Sequence, residues 1–589
     1  MEDNNISKDM ILPDIVSPDV PVSSQQDSVS DSASVNFAQD MAWDKAACIR
    51  RTTAEYIDAL PKPITLSDEE MRDGCVNAIN SAIAERNVLQ GGTKVSSIQS
   101  LPNPCIARLI LAKYHVRCVS WSGSRDDGNM VAIYQETGVD EGVYIGTKAF
   151  FNNLVRGFEF TANKNDVDEV MEILEADAEF VRPSLDPDLL AFNNGIFNYK
   201  TKQLMPFTPD ICFTAKSRVN YPQVPMANPK IVMPDGMIWD FDSWLNSLSD
   251  NPEIIDLILK VLGAILRPNV RWDKIVCFYS QVGMNGKGTL CELMKQLCGE
   301  KTYASIPFIG FEKDSLLAQL ITATAVITDE NGTNDYAKNV ANLKALATGD
   351  SISIDRKFKS AITLKFSGLI VQCVNSLPRV ADQTDSFYRR CLMVPFEKTF
   401  KDVERKYIKN DYLHRPEVLE YVLWKVMNMP DYYELPEPDE CKALLDDYKA
   451  YNDPILEFIT DVFSRFTWEK IPQDFVYDLY LKWCLKNNPS GKIAGRRSVL
   501  DKIKIYIATK FSDEWVFNPK KVRIGKSDNL EPELMIVDYG LDNWRSKTYK
   551  GTDPAKMSMP NFSQGYTGMY IRIGGQSADD EFDTEDNNE

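Results

Sequence analysis

The feature that most constrains this chain is a junction at residues 275–298. Ile275-Val276-Cys277-Phe278-Tyr279 runs without a break into Ser280-Gln281-Val282-Gly283-Met284-Asn285-Gly286-Lys287-Gly288-Thr289. A continuous apolar run of this length fits a strand buried on both faces. After the glycines, Leu290, Leu293, Met294, Leu297 and Cys298 recur at helical spacing. Strand, glycine-rich turn, lysine and helix form the context in which backbone N–H groups close around phosphate oxygens. The helix N-terminus there adds its partial positive charge, and Lys287 can reach the β- and γ-phosphates. Gly283, Asn285, Gly286, Lys287, Gly288 and Thr289 are therefore the candidate nucleotide-binding residues. In the strict phosphate-loop pattern the first glycine would fall on Gln281 and the metal-binding hydroxyl on Gly288. Thr289, one residue late, becomes the candidate Mg²⁺ hydroxyl. Taken alone, the segment also fits a glycine-rich turn carrying a solvated lysine.

Three later segments extend the argument. Ala323–Thr328 is an apolar-leaning run ending in Asp329-Glu330; such a pair can hold Mg²⁺ through one carboxylate and polarise water with the other. Strands also end in solvated acids. Leu369–Val374 is a further buried-strand candidate ending in Asn375, whose amide can orient a lytic water or simply form a turn. Arg389-Arg390 precedes the apolar run Cys391–Pro395. Arg390 is a candidate to stabilise transition-state charge on a neighbouring subunit's nucleotide, against the alternative of a surface arginine pair. Strands and amphipathic helices alternating from about 235 to 400 predict an α/β core.

The order Gly283-Met-Asn-Gly-Lys-Gly-Thr289, Asp329-Glu330, Leu343-Lys-Ala-Leu-Ala-Thr-Gly-Asp350, Val374-Asn-Ser-Leu-Pro378, Tyr388-Arg-Arg390 and Val394-Pro-Phe396 resembles superfamily 3 helicases, most closely the phage/plasmid and poxvirus primase-helicase type. The resemblance implies an AAA+-like P-loop core, ATP and Mg²⁺ as cofactors, and a ring homo-oligomer, typically a hexamer, translocating on single-stranded DNA. It casts Lys287 as the Walker A lysine and Asp329 and Glu330 as the Walker B acids. Asn375 becomes the sensor, and Arg390, with Arg389 beside it, the finger. Between these motifs, residues 356–365 hold four bases and no acid. β-like runs flank Lys357, Phe358 and Lys359, with Lys365 just beyond. A hairpin bearing lysine and phenylalanine is suited to gripping a sugar-phosphate backbone and contacting a base, and it is similar to the pre-sensor hairpin of the same superfamily.

Composition bears on the partner. The net charge of −19 argues against a nucleic acid, yet residues 1–40 hold eight acids and one lysine, and residues 576–589 hold seven acids and no base. Residues 482–526, by contrast, carry twelve Lys/Arg and three acids, a basic footprint inside an acidic chain. Domains are predicted as a disordered acidic tail (1–41), a helical region (42–110), an α+β domain (111–240), the ATPase (241–452), a winged-helix-like DNA-binding module (455–545) and a flexible segment with acidic tail (546–589). A Pro-rich linker is read at 221–234. In the module, Arg496, Arg497, Lys520, Lys521 and Arg523 are the candidate DNA contacts, a solvated basic face being the bland alternative.

The twelve cysteines lack any Cys-x-x-Cys knuckle and only two histidines accompany them, which disfavours a zinc site and predicts free thiols. No apolar stretch approaches the ~20 residues of a membrane span. These readings imply a cytoplasmic replication protein of a phage or mobile element in a bacterial host. Its partners would be single-stranded and forked DNA, further copies of itself, and a separate primase, polymerase or loader. Asp166-Val167-Asp168 reads as an acidic helix start rather than a polymerising metal site, so primer synthesis is not expected of this chain. The competing reading is an origin-binding initiator whose nucleotide site assembles a complex without processive unwinding.

Overall fold

The computed structural model describes residues 43–573 except 90–92, 124–127, 333–335, 357–358, 383, 402, 488–492, 494, 526–527, 561 and 563–564. The two acidic tails lie outside the described residues, as do Lys357 and Phe358; Lys359 is described as backbone only. The fold is mixed α/β. No described helix is long and apolar enough to cross a membrane.

The N-terminal helices Lys45–Ala59, Asp68–Leu89 and Asn103–Lys113 do not stand apart from the strands and helices after them. Met71, Cys75, Ile79 and Ile83, spaced four apart on one helix face, bury with Ile106, Val116, Val131, Phe151 and Val170 in a single core. The expected boundary at 110/111 therefore cuts through a shared hydrophobic cluster. A four-stranded sheet, with Val116–Val119 between Met130–Tyr134 and Glu179–Val181, completes this unit. The helix Lys164–Asp177 begins at an Asn163 cap that pairs reciprocally with Asp166, as the acidic-start reading expects.

The next hairpin pairs Leu189–Phe192 with Gly195–Asn198, with Phe192 directly opposite Gly195. The turn is thus Asn193-Asn194, and Gly195 opens the second strand. Gly195 is needed inside the strand: its φ is +151°, and a Cβ there would sit 2.5 Å from the Met205 carbonyl oxygen. The Pro-rich stretch 221–234 is not a linker either. Tyr221, Ile231 and Met233 are buried in the central core, and Lys230–Val232 pairs with Ile238–Asp240.

That core is built on five parallel strands. They are β1 (Ile275–Tyr279), β2 (Tyr303–Ala304), β3 (Ala325–Thr328), β4 (Ile370–Val374) and β5 (Cys391–Pro395), in the order β5-β1-β4-β3-β2. Alternate residues serve opposite faces. Val276, Phe278, Val371 and Val394 meet the helix α1 (Lys287–Cys298) and the helices Pro252–Ala264 and Pro416–Met427. Ile275, Cys277, Ile370 and Met393 meet the Ala341–Ala347 helix, the hairpin strands Ser351–Arg356 and Lys359–Lys365, and Tyr448. Both faces are covered, which is why these strands read as unbroken apolar runs.

Beyond Tyr451 lies a compact C-terminal module. Its elements are the helix Pro454–Val462, β6 (Lys470–Pro472), α2 (Gln473–Asn487), α3 (Arg496–Lys510), β7 (Trp515–Arg523) and β8 (Gly565–Arg572). Val476, Leu479, Tyr480 and Trp483 face Val499, Ile503 and Ile507 across an aromatic-rich core. The strand order is β6-β8-β7. The segment expected to be flexible from 546 onward thus supplies the central strand of this sheet. β8 is required there because it pairs with β6 and β7 at once and buries Met569 and Tyr570 completely.

Candidate active site

In the parallel sheet, β1 and β4 are neighbours whose onward connections leave in opposite directions, β1 toward β2 and β4 toward β5. Crevices outside the carboxyl ends of such a pair are where open α/β sheets bind ligands. Tyr279 is in register with Val374, and Thr328 with Gln372. The 280–289 loop, Asn375 and Asp329-Glu330, each directly after one of these strands, consequently emerge together at one edge. They line a cleft of about 740 Å³, a size suited to a nucleotide.

Lys287 opens α1 after Gly286, whose φ of +87° turns the chain into the helix. The residue is only 5% exposed, and its ammonium donates to Asn375 Oδ1 at 3.0 Å. Burial pushes this amine below the ordinary lysine range, a shift opposed by the thiols of Cys373 and Cys291 and by Asp329. Asn285 lies in the cleft wall, but its amide is used within the loop: its nitrogen donates to the Val282 carbonyl, and its oxygen accepts from Lys287 N–H at 3.3 Å. It shapes the turn that Lys287 leaves. Gly283, Gly286, Gly288 and Thr289 line the cleft with Glu330, which is exposed at its margin.

Behind the acids is a polar network that sequence reasoning missed. Gln372, fully buried in the middle of β4, donates to the Ile306 carbonyl at 3.1 Å and accepts from Asn331 at 3.1 Å. Asn331 also donates to the Cys373 carbonyl at 2.9 Å and accepts from Phe308 N–H. The chain just after Asp329-Glu330 is thereby tied to the strand that carries Asn375. A glutamine inside an otherwise apolar strand was the available signal, because a buried amide is costly unless bonded.

Hard oxygen donors are what Mg²⁺ requires, and the Asp329 carboxylate, the Thr289 hydroxyl and Glu330 supply them around the cleft. The donor set therefore fits the ion. Gly288 explains the departure from the strict loop pattern: a Cβ there would lie 3.2 Å from Asp329 Oδ1 and 3.4 Å from Lys409 Nζ. Both contacts are tighter than usual, so a Cβ would push the carboxylate or the ammonium aside by a few tenths of an ångström. Gly288→Thr, which places a hydroxyl where the strict pattern has one, is accordingly expected to weaken nucleotide binding. Titration of a fluorescent ATP analogue reads it.

Arg389 and Arg390 do not enter this cleft. They precede β5, and Arg390 O accepts from Ile275 N–H at the start of β1. The length of a five-residue strand, ~16 Å, separates them from the 280–289 loop. Arg389 is exposed and Arg390 donates to Ser386. The hairpin strands flanking 357–358 pair antiparallel, with Ile352 opposite Leu364 and the exposed Lys365 opposite Ser351. In the C-terminal module Lys520, Lys521 and Arg523 are exposed on the edge strand β7, and the Arg497 side chain is 98% exposed. Arg496 is instead committed to Asp474 and the Tyr477 ring.

The far wall of the cleft also escaped the sequence. Trp239 and Trp244 approach from before β1, and Phe400 and Lys409 from after β5. Among the described residues all twelve cysteines are unpaired and buried. Cys291 and Cys373 lie 3.1 Å apart (Sγ to Sγ) beneath the Lys287–Asn375 contact, with the Asp329 carboxylate nearby.

Comparisons with known proteins bracket this site. A D5 N-terminal-like family model matches residues 109–265, a family of unknown function (DUF5906) matches 278–390, and a poxvirus D5 protein-like family matches 450–541. An Acanthamoeba polyphaga mimivirus protein named "Putative helicase L207/L206" is 23% identical over 248 residues, which are 40% of this chain and 25% of that protein. The chain thus spans about a quarter of the length of that curated relative. Two apo structures of the NrS-1 C terminal region are 16% and 15% identical. Their TM-scores are 0.38 and 0.39, covering 71% and 73% of this chain and 97% and 98% of theirs. With D5-type matches on both flanks of the cleft-bearing core, the chain resembles the primase-helicases of the phage and poxvirus type.

Proposed function

We propose that this chain is an ATP-dependent replicative DNA helicase of the superfamily 3 type, working as a ring, most simply a hexamer. The observation that carries this reading is the convergence of the 283–289 loop, Lys287, Asp329, Glu330 and Asn375 on one cleft at the carboxyl edge of the sheet. Lys287 holds the β- and γ-phosphates. Asp329 and Thr289 hold Mg²⁺, which supplies charge neutralisation when bound. Glu330 accepts the proton of the attacking water. Asn375 exchanges its contact with Lys287 for one to the γ-phosphate or the water, reporting its presence to β4. Arg390, with Arg389 beside it, reaches the cleft of the adjacent copy, which is consistent with its lying at the opposite strand end. Lys357, Phe358, Lys359 and Lys365 grip single-stranded DNA, while the helix pair and the basic edge strand of the C-terminal module act as a winged-helix-like duplex contact.

The test is ATP hydrolysis by the purified chain with and without single-stranded DNA, at low and moderate salt. Stimulation that weakens as salt rises is expected, because phosphate contacts release counterions. ATPase indifferent to DNA would remove the translocating motor. A second reading, an origin-binding initiator, is favoured by the exposed basic residues of β7. The double variant Lys357→Ala and Lys359→Ala separates the two. A helicase loses DNA-stimulated turnover, whereas an initiator keeps duplex binding and its unstimulated ATPase unchanged.

A further inference from the structure

Lys409 belongs to none of the motifs that define the site. It lies on the short helix Lys406–Asn410, after the last strand of the sheet and packed against α1, and its side chain lines the cleft beside the first turn of that helix. Its ammonium is 3.9 Å from Asp329 Oδ2 and stands over Gly288, where the strict loop pattern carries a metal-binding hydroxyl. Two neighbouring bases on the same wall differ from it. Arg405 is turned away into an ion pair with Asp235 at 2.8 Å and a contact with Met233. Lys406 lines the cleft without a carboxylate partner among the described residues. Of the bases on this wall, Lys409 is the one that bridges the acid proposed for Mg²⁺ and the first turn of α1.

We propose that Lys409 is a resident cation of the phosphate site. It pairs with Asp329 when the cleft is empty and turns to the terminal phosphate of a nucleoside triphosphate when Mg²⁺ takes that carboxylate. The inference rests on the nucleotide-cleft reading above. An ammonium at this place has two consequences. Without metal it keeps Asp329 from repelling an incoming polyphosphate. With metal it is freed within reach of the oxygen that distinguishes a triphosphate from a diphosphate, where a charge-assisted contact is stronger than a neutral one. Glycine at 288 then reads as part of the device, because a Cβ there would press on both the Asp329 carboxylate and the Lys409 ammonium.

The test measures binding rather than turnover. A fluorescent non-hydrolysable ATP analogue and the matching ADP probe are titrated into the full chain, with Mg²⁺ and with a chelator, for wild type, Lys409→Met, Lys409→Arg and Lys287→Ala. Wild type should prefer the triphosphate. Lys409→Met should bind the triphosphate roughly tenfold or more weakly while diphosphate binding barely changes, the scale of one lost contact to a charged group. That selective defect should appear with Mg²⁺; in chelator, where Asp329 is left bare, both probes should weaken, and Lys409→Arg should retain most of the wild-type preference. Wild-type discrimination in Lys409→Met, alongside lost binding in Lys287→Ala, overturns the inference and leaves the nucleotide site standing. Equal loss of both probes in Lys409→Met, with a lowered melting temperature, assigns Lys409 a purely structural role and also overturns it. Failure of wild type to bind either probe overturns the nucleotide reading itself, and this inference with it.

Discussion

Replacing Lys287 with alanine is expected to lower ATP hydrolysis by roughly 10²-fold or more while leaving the chain folded. The magnitude follows from removing a preorganised charge from a water-poor site, where such groups contribute most to catalysis. The residue is 5% exposed and its ammonium is held by Asn375. Folding should survive for a reason of sign. Burial lowers the proton affinity of this amine in the folded state. The unfolded chain therefore binds that proton more firmly, and the stability contribution of the group rises with pH. Alanine abolishes that penalty near neutral pH. Phosphate-release assays beside thermal denaturation check both halves: full ATPase in the variant would sink the assignment of the cleft, and a collapsed melting transition would sink the argument about burial.

The second large effect concerns the C-terminal module. A chain ending at residue 562 should lose the module's cooperative unfolding transition, while a chain ending at 573 should keep it. The shorter chain lacks β8, which lies between β6 and β7 and exchanges backbone hydrogen bonds with both. Tyr570 packs against Phe463 and Phe517 with ring centroids 5.6 and 5.0 Å away, and Met569 is fully buried. Deleting a large core side chain costs about 3–5 kcal/mol. Two such losses with the sheet's central ladder rival the roughly 5–15 kcal/mol that holds a domain together. Differential scanning calorimetry and limited proteolysis of the two truncations decide it, and an unchanged transition in the shorter chain would refute the role given to β8.

How much of this was legible depended on whether a residue's role was local. Val276, Val371 and Val394 announced themselves because parallel strands covered on both faces carry no polar alternation. The glycine-rich loop after β1 was equally plain, since its glycines, lysine and helix are contiguous. Asp329, Glu330 and Asn375 could be placed because each lies at the end of such a strand. Lys409 could not: it sits among Lys398, Lys401, Arg405 and Lys406, and only the packing of its short helix against α1 separates it from ordinary surface lysines. Trp239 and Trp244 were hidden behind a Pro-rich stretch that looked like a linker because its apolar residues, Ile231 and Met233, follow no period. β8 was missed for a related reason. Gly565 and Gly568 weaken its strand character on paper, and the pairing that overrides this comes from strands far upstream. The N-terminal boundary failed because Met71, Ile79 and Ile83, besides packing with Ile49, share their core with Val116, Val131, Phe151 and Val170, which lie beyond it.

The place of β8 also sets an order of events during synthesis. Lys470 of β6 lies opposite Ile571 of β8, so one edge of the C-terminal sheet waits about a hundred residues for its partner. At the usual pace of a bacterial or eukaryotic ribosome that is roughly 5–20 s. The parallel sheet and its covering helices are all translated by Tyr451, well before that interval begins. A nascent chain can thus complete the cleft while its basic C-terminal edge is still unbuilt, and the last strand to emerge is the one that assembles the surface proposed to meet nucleic acid.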